Sequence, residues 1–263
     1  YCPHLGANLA VGGTIDEVQS NSCVRCPFHG WAFGRDGRNV DVPYDDRTNG
    51  KARIRTYPST ERNGFVLFWW HPDPTVDPMW DIPNIDVLEG ASYHVRQAWT
   101  VEAPWQEFSE NGSDTAHFAY VHGSPRVATM DEADYSGPVR RMLVSNRYPT
   151  KRGPIDGTQE TVTYGPGLGI THFSIGDADI YLAATQAPLS PTRTVARFAW
   201  HYGDSTISQK MGPSFAAEVE RQFNQDLPIW NHKRHIPRPS LAINDGPITA
   251  YRTWARQFYA GHA

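Results

Sequence analysis

The sequence predicts an α+β chain in two parts: short strands and tight turns up to about residue 80, then an antiparallel sheet wrapped over a long C-terminal helix. Three observations carry this. Gly12-Gly13 and Asp36-Gly37 punctuate short apolar and aromatic stretches in the first 45 residues. Pro72, Pro74, Pro78 and Pro83 crowd one segment that can sit inside neither a helix nor a central strand, which marks a domain boundary near residue 80. Beyond it, five segments with strand-like alternation precede a helical apolar stripe. The chain has 263 residues, 39% hydrophobic, 12% aromatic and 20% charged, which excludes a disordered chain. No run approaches the roughly 18 apolar residues of a spanning helix. A net charge of -4 leaves no basic footprint for nucleic acid.

Each element has a reason. Gly64 to Trp70 is a continuous apolar run of buried-strand length. Tyr93 to Val101 follows as a strand. Pro104 suits a first helical turn, so a helix is expected from there to His122, ended by Gly123-Ser124-Pro125. Strands are expected at 138–148, 158–164, 168–175, 179–187 and 194–202. A long helix opens with Ser214 as N-cap after Pro213 and runs to about Asp226. A short helix covers Ile248 to Tyr259.

Three cysteines, Cys2, Cys23 and Cys26, are too few and odd in number for a disulfide scaffold, so a reducing, cytoplasmic compartment is expected. The chain opens Tyr-Cys-Pro-His with neither an initiator Met nor a signal-peptide pattern. It reads as a fragment or processed chain, and any targeting or membrane segment would lie upstream.

Two Cys-plus-His pairs, Cys2/His4 and Cys26/His29, sit on two loops separated by a span that fits two strands and a turn. Two thiolates and two imidazoles suit a tetrahedral zinc. They equally suit a [2Fe–2S] cluster with two Cys on one iron and two His on the other. Spacing alone leaves both open. Cys23 is expected to be a buried strand thiol.

A second constellation runs from Glu110 to His122. On a helix, His117 and His122 fall about 60° and 80° to either side of Asp114. Their i, i+5 separation needs a π-bulge or a broken turn for the imidazoles to meet. Two His plus one carboxylate form the mononuclear non-haem iron triad. Asp226 falls within the apolar stripe of Phe215, Val219 and Phe223, so it points into the core. A metal there would remove the cost of burying an unpaired carboxylate.

Cys2-Pro3-His4-Leu5-Gly6-Ala7 and Cys26-Pro27-Phe28-His29-Gly30-Trp31 resemble the two cluster loops of Rieske proteins. Followed by Asp114-x-x-His117-x-x-x-x-His122, they resemble the oxygenase (alpha) component of Rieske non-haem iron oxygenases. The likeness covers nearly the whole chain and is closest to the steroid branch, the 3-ketosteroid 9α-hydroxylases and Neverland-type cholesterol 7-desaturases. Glu110-Asn111-Gly112, Ala116-His117-Phe118, the stretch Gln225 to Lys233, and Asp245-Gly246-Pro247-Ile248 also look like that branch.

The resemblance implies an all-β Rieske domain over 1–80, N-terminally incomplete, and a helix-grip (START-like) catalytic domain over 81–263. It implies that Cys2, His4, Cys26 and His29 hold the cluster and that His117, His122 and Asp226 hold iron(II). Asp114 would be the acid that hydrogen-bonds a cluster His of a neighbouring subunit and carries electrons across, in a homotrimer. Its carboxylate would also accept a hydrogen bond from a ligand imidazole of its own subunit. The partners implied are an NAD(P)H-dependent reductase or ferredoxin, O2 and a steroid- or sterol-like substrate, hydroxylated or desaturated. Strands 168–175 and 179–187 are compatible with a broad apolar cavity. An aromatic-ring dioxygenase is the alternative within the family. Outside it, the alternative is a zinc-containing, non-enzymatic lipid-binding protein.

Overall fold

The computed structural model describes residues 1–148 and 153–260, which divide into two compact units. The first takes in residues 1–61 and 66–78; the second takes in 62–65 and the chain from Met79 onward.

The first unit is built on a four-stranded antiparallel sheet in sequence order, β1 (Thr14–Val18), β2 (Asn21–Arg25), β3 (Ala32–Gly34) and β4 (Asn39–Asp41). Asp36-Gly37 forms the β3–β4 turn as expected, with Gly37 at φ 78. The β1–β2 turn is instead made by Gln19 and Ser20, both at positive φ (51 and 64). Gly12-Gly13 lies before β1 and guides the chain out of the first Cys/His loop. A Cβ at Gly13 would lie 2.2 Å from the Leu9 carbonyl oxygen, so only glycine permits that close approach. Cys2, Cys26, Trp31, Phe33 and Val42 form the core of this unit. Cys23 is a buried strand thiol on β2, as expected.

The apolar run at 64–70 departs from expectation. It contributes β6 (Phe65–Phe68), which pairs only with β5 (Ser59–Arg62) in a two-stranded ribbon. Val66 and Phe68 are 74% and 65% exposed. With a single partner strand and one face left open, the ribbon keeps the two-residue alternation of a one-sided strand, Phe65 and Leu67 half-buried and Phe65 packed on Tyr93.

The second unit centres on a seven-stranded antiparallel sheet. Its strands are β7 (His94–Val101), β8 (Thr129–Asp134), β9 (Val139–Tyr148), β10 (Ile155–Tyr164), β11 (Leu168–Ile175), β12 (Ala178–Ser190) and β13 (Arg193–Tyr202), in the order β7-β13-β12-β11-β10-β9-β8. Six of these were legible as strands. β8, Thr-Met-Asp-Glu-Ala-Asp, was not: it is an acidic edge strand whose charged side chains guard an open edge.

One long helix lies against this sheet. The helix expected from Pro104 to His122 is broken into α1 (Trp105–Ser109), a 3-10 turn (Glu110–Ser113) and α2 (His117–Tyr120). The break falls at Asp114, which is extended (φ -99, ψ 104). Its side chain accepts from the Ala116 N–H at 3.0 Å and so starts the next turn. The long helix α3 (Thr206–His232) begins about two and a half turns earlier than expected, because Ser205 and not Ser214 is its N-cap, accepting from the Ser208 N–H at 3.0 Å. It also runs one and a half turns past Asp226, through both Pro213 and Pro228.

Each proline costs roughly 3 kcal/mol in a helix interior. Burying the stripe of Ala216, Phe223 and Trp230 offsets that at about 1.5–3 kcal/mol per large side chain. Gly212 lets α3 approach the sheet closely: a Cβ there would sit 2.3 Å from the Tyr202 ring. Two indoles fix the contact. Trp99 Nε1 donates to Asn224 at 2.8 Å, and Trp200 Nε1 donates to buried Glu220 at 3.2 Å. The last helix, α4 (Ile248–Arg256), packs Tyr251 and Trp254 against Trp105. Among the described residues no helix is long and apolar enough to cross a membrane.

Candidate metal centres and cavity

In the first unit the two Cys/His loops share one backbone design. Cys2 N–H donates to Ala7 C=O (2.8 Å) and Gly6 N–H to Cys2 C=O (2.9 Å). Cys26 N–H donates to Trp31 C=O (2.9 Å) and Gly30 N–H to Cys26 C=O (3.1 Å). Gly6 and Gly30 both have positive φ, 78 and 72. Gly30 has no room for a side chain, since a Cβ would meet Pro43 at 2.8 Å. Arg25 ties the second loop to the sheet by donating to Gly30 C=O (2.5 Å) while pairing with Asp16 and Asp41.

The turns bring four donors together. The His4 and His29 ring centroids are 4.7 Å apart, and His4 stacks on Trp31 at 4.4 Å. Both thiols are buried and hydrogen-bonded to one another. Burial pushes the Cys2 thiol up, partly opposed by the His4 and Leu5 N–H groups. Burial acts on Cys26 too, but the N–H groups of Phe28 and His29 and the Cys2 thiol outweigh it and hold Cys26 below its ordinary value. Backbone N–H groups aimed at both sulfurs, beside two adjoining imidazoles, fit a cluster held by two Cys and two His.

In the second unit, the broken turn after α2 solves the i, i+5 problem. Gly123 takes φ 72, and the Ser124 N–H closes onto Phe118 C=O at 2.9 Å, which ends the helix. His122 then turns back toward His117, with ring centroids 5.1 Å apart. Asp226 comes in from α3, buried at 6% exposure, with Oδ2 at 3.2 Å from His122 Nε2. One donor atom from each of His117, His122 and Asp226 lies within 4.8 Å of the other two.

The partners of these groups define the donors. His117 Nδ1 is 2.6 Å from the Asp114 carbonyl oxygen, and His122 Nδ1 is 3.1 Å from Gln225 Oε1. Each Nδ1 is thereby engaged away from the site, so Nε2 is the atom that either ring would offer a metal. A metal on Nε2 requires the tautomer protonated at Nδ1. Asn111 Nδ2 reaches both His117 Nε2 (3.0 Å) and Asp226 Oδ2 (3.1 Å). Burial holds His117 below its ordinary value against the pull of Asp226 and Asp114. Burial also opposes charge on His122, but the Asp226 carboxylate outweighs it and raises that group. A buried carboxylate grouped with two imidazole Nε2 atoms fits a divalent metal with open positions.

Asp114 departs from the expected geometry. Its backbone carbonyl, not its carboxylate, is the partner of His117; Oδ2 stands 3.9 Å from Nδ1. The extended backbone at Asp114 turns the carbonyl inward and leaves the carboxylate half-exposed.

All three donors of the second site line one cavity of about 220 Å³. Strands β11 and β12 contribute to it as expected, but its wall is mixed rather than broadly apolar. Thr161, Thr163 and Thr171 join Phe198, Val219 and Phe223. Sequence reasoning missed Asn111 and Gln225. Their signal was adjacency: each flanks or closely precedes a candidate ligand, but only the fold shows where their amides point.

Residues 1–58 match the family model of the Rieske [2Fe-2S] domain, and residues 68–259 match that of the 3-ketosteroid 9alpha-hydroxylase C-terminal domain. Over 100% of the chain there is 31% identity to a cholesterol 7-desaturase of Xenopus laevis, of which the chain spans 63%. Over 98% of the chain there is 31% identity to the oxygenase component of a 3-ketosteroid-9-alpha-monooxygenase of Rhodococcus rhodochrous, of which it spans 72%. Among solved structures, NdmA of Pseudomonas putida CBB5 with caffeine superposes with a TM-score of 0.72 at 20% identity, covering 97% of this chain and 76% of that one. Dicamba monooxygenase bound to dicamba gives a TM-score of 0.72 at 17% identity, covering 97% and 83%. At these identities the two structures speak for the fold alone.

Proposed function

The chain belongs to the Rieske oxygenase family whose C-terminal domain is that of 3-ketosteroid 9α-hydroxylase, and from that premise we propose that it is part of a terminal oxygenase that hydroxylates or desaturates a steroid- or sterol-like substrate. The family carries a Rieske [2Fe–2S] cluster and a mononuclear iron. Cys2, His4, Cys26 and His29 hold the first in this reading; His117, His122 and Asp226 hold the second. The observation that carries the proposal is the two-His, one-carboxylate set on the wall of one cavity lined by both apolar and polar side chains. When bound, the two groups supply one-electron transfer and O2 activation.

The protein's own residues do the rest. The Asp114 carbonyl and Gln225 hold the two imidazoles in one tautomer. Asn111 braces His117 against Asp226 and keeps the carboxylate oriented. Phe108, Phe198, Val219 and Phe223 exclude water from an apolar substrate. The Asp114 carboxylate, half-exposed one bond network away from His117, is the electron bridge to a cluster imidazole of a neighbouring subunit in a ring trimer. An NAD(P)H-dependent reductase or ferredoxin feeds the cluster, in a cytoplasmic setting.

The deciding experiment is product analysis. Protein loaded with both metals, given a reductase system and O2, is offered cholesterol and a 3-ketosteroid. A hydroxylated or desaturated steroid is expected. Reduced, fully loaded protein that turns over neither substrate but oxidises a simple aromatic acid would replace the steroid reading with the aromatic-ring one.

A further inference from the structure

We propose that Arg140 is the polar anchor of the cavity, receiving with Thr163 an anionic carboxylate carried at one end of an otherwise apolar ligand. This rests on the reading of the cavity as the substrate site. Strand register builds the arrangement. Across the floor of the sheet, Arg140 of β9 stands opposite Thr163 of β10, which stands opposite Gly169 of β11, then Ala184 of β12 and Phe198 of β13. The alternation of strands puts this row on one face, and all five residues line the cavity. The row is therefore polar at the β9–β10 end and apolar at the β12–β13 end. Gly169 at its centre leaves the floor open; the nearest atom to a Cβ there would be Thr163 Oγ1 at 3.6 Å.

Arg140 is 4% exposed, and among the described residues no carboxylate pairs with it. Its guanidinium lies over the rings of Tyr251 and Trp254, at 5.1 and 5.2 Å. Nη1 makes one long contact with the Ser109 carbonyl (3.4 Å), Nη2 reaches only the Thr163 hydroxyl (3.2 Å), and buried Nε has no partner. The neighbouring acids are committed elsewhere: Glu110 to Arg252 and Lys233, Glu107 to Lys233 and His235.

A buried cation without a counter-anion is costly, and two aromatic faces relieve that cost only in part. A five-donor fork with spare N–H groups is the geometry that recognises a carboxylate. Nη2 is on the cavity side, 3.7 Å from where a Cβ at Gly112 would be, and glycine keeps that approach clear. Since His117, His122 and Asp226 line the same cavity, a ligand held by its carboxylate at Arg140 has its apolar body directed along the floor past them. That fixes which carbon is presented for reaction.

The test uses binding rather than turnover. A 3-keto steroid carboxylic acid and its uncharged primary amide are titrated into the holoprotein and followed by tryptophan fluorescence. The acid is expected to bind at least tenfold more tightly than the amide. In Arg140→Gln that preference should fall to about twofold or less. In Thr163→Val, which leaves the buried charge in place should the arginine variant fail to fold, it should shrink severalfold. Equal affinity of acid and amide for the parent protein, or an undiminished preference in both variants, overturns the anchor while leaving the steroid site intact. Failure of both probes to bind the parent overturns the anchor together with the substrate reading.

Discussion

Single residues carry most of the chemistry here, and their contributions separate by site. Cys26 and His117 belong to different units. Cys26→Ser should therefore abolish the visible absorption of the cluster while mononuclear iron remains at least partly bound, and His117→Ala should do the reverse; metal analysis with an absorption spectrum checks both. A folded variant that loses both metals would contradict two independent sites. Asp226 is the only acid of the described triad, so Asp226→Ala should remove turnover and weaken iron binding, whereas Asp226→Asn keeps an oxygen donor and retains some metal more weakly. Unchanged turnover in the alanine variant rules Asp226 out as a ligand.

Asp114 is a finer case. Its carbonyl orients His117 and its carboxylate caps the next turn. Asp114→Asn leaves the carbonyl, and its amide oxygen still caps Ala116, so both metals should stay loaded. If the charge bridges subunits, product formation in a single turnover of pre-reduced protein should collapse. Cluster re-oxidation and product at the parent rate would return the carboxylate to a capping role alone.

At the scale of elements, two features decide the sites: the paired Cys/His loops and the interrupted helix. Each loop is closed by a glycine in the left-handed region, and the second has no space for more. Gly30→Ala imposes a positive φ on a residue with a Cβ, costing about 1–2 kcal/mol, before the contact with Pro43 is counted. Gly6→Ala meets nothing within 4 Å and suffers only the first cost. Denaturant unfolding should show Gly30→Ala as the more destabilised of the two, with the lower cluster content. Equal midpoints would mean that Pro43 yields freely. In the second unit, a continuous helix over 104–122 could not have placed His117 and His122 on one point. The interruption at Asp114 and the stop at Gly123 are therefore part of the site's construction.

For the whole molecule, the tail after α3 is held by charge. Glu107, almost fully buried, meets His235 at 2.5 Å and Lys233 at 3.1 Å. Burial raises the Glu107 carboxyl, but the His235 hydrogen bond and the Lys233 charge outweigh it and leave the group below its ordinary value of 4.5. A depressed acid contributes stability that is present above its unfolded value and lost as pH falls through the lower folded one. Urea midpoints measured from pH 7 down to pH 3 should thus fall more steeply below about pH 4.5 in the parent than in Glu107→Gln. Parallel acid limbs would show that the ion pairs contribute nothing. The chain spans 63% of the length of the Xenopus relative.

What the sequence determined by itself was whatever depends on local pattern. Alternation located all the strands of the large sheet but β8, because each buries one face. The apolar stripe carried Asp226 inward. The Cys-Pro-His and Cys-Pro-Phe-His loops, with a glycine in each, marked four candidate donors, and the structure brings their two imidazoles within 4.7 Å. What only the tertiary structure decided was whatever depends on partners distant in sequence. Proline signals argued for a helix starting at Ser214, yet burial against the sheet carries α3 through two prolines. The apolar run at 64–70 looked like a core strand, yet its two-stranded ribbon leaves the face of Val66 and Phe68 open. The amides of Asn111 and Gln225 and the unpaired guanidinium of Arg140 gain their meaning from residues about twenty to more than a hundred positions away. A sequence states which groups are available; the register of a sheet and the break in a helix determine which of them meet.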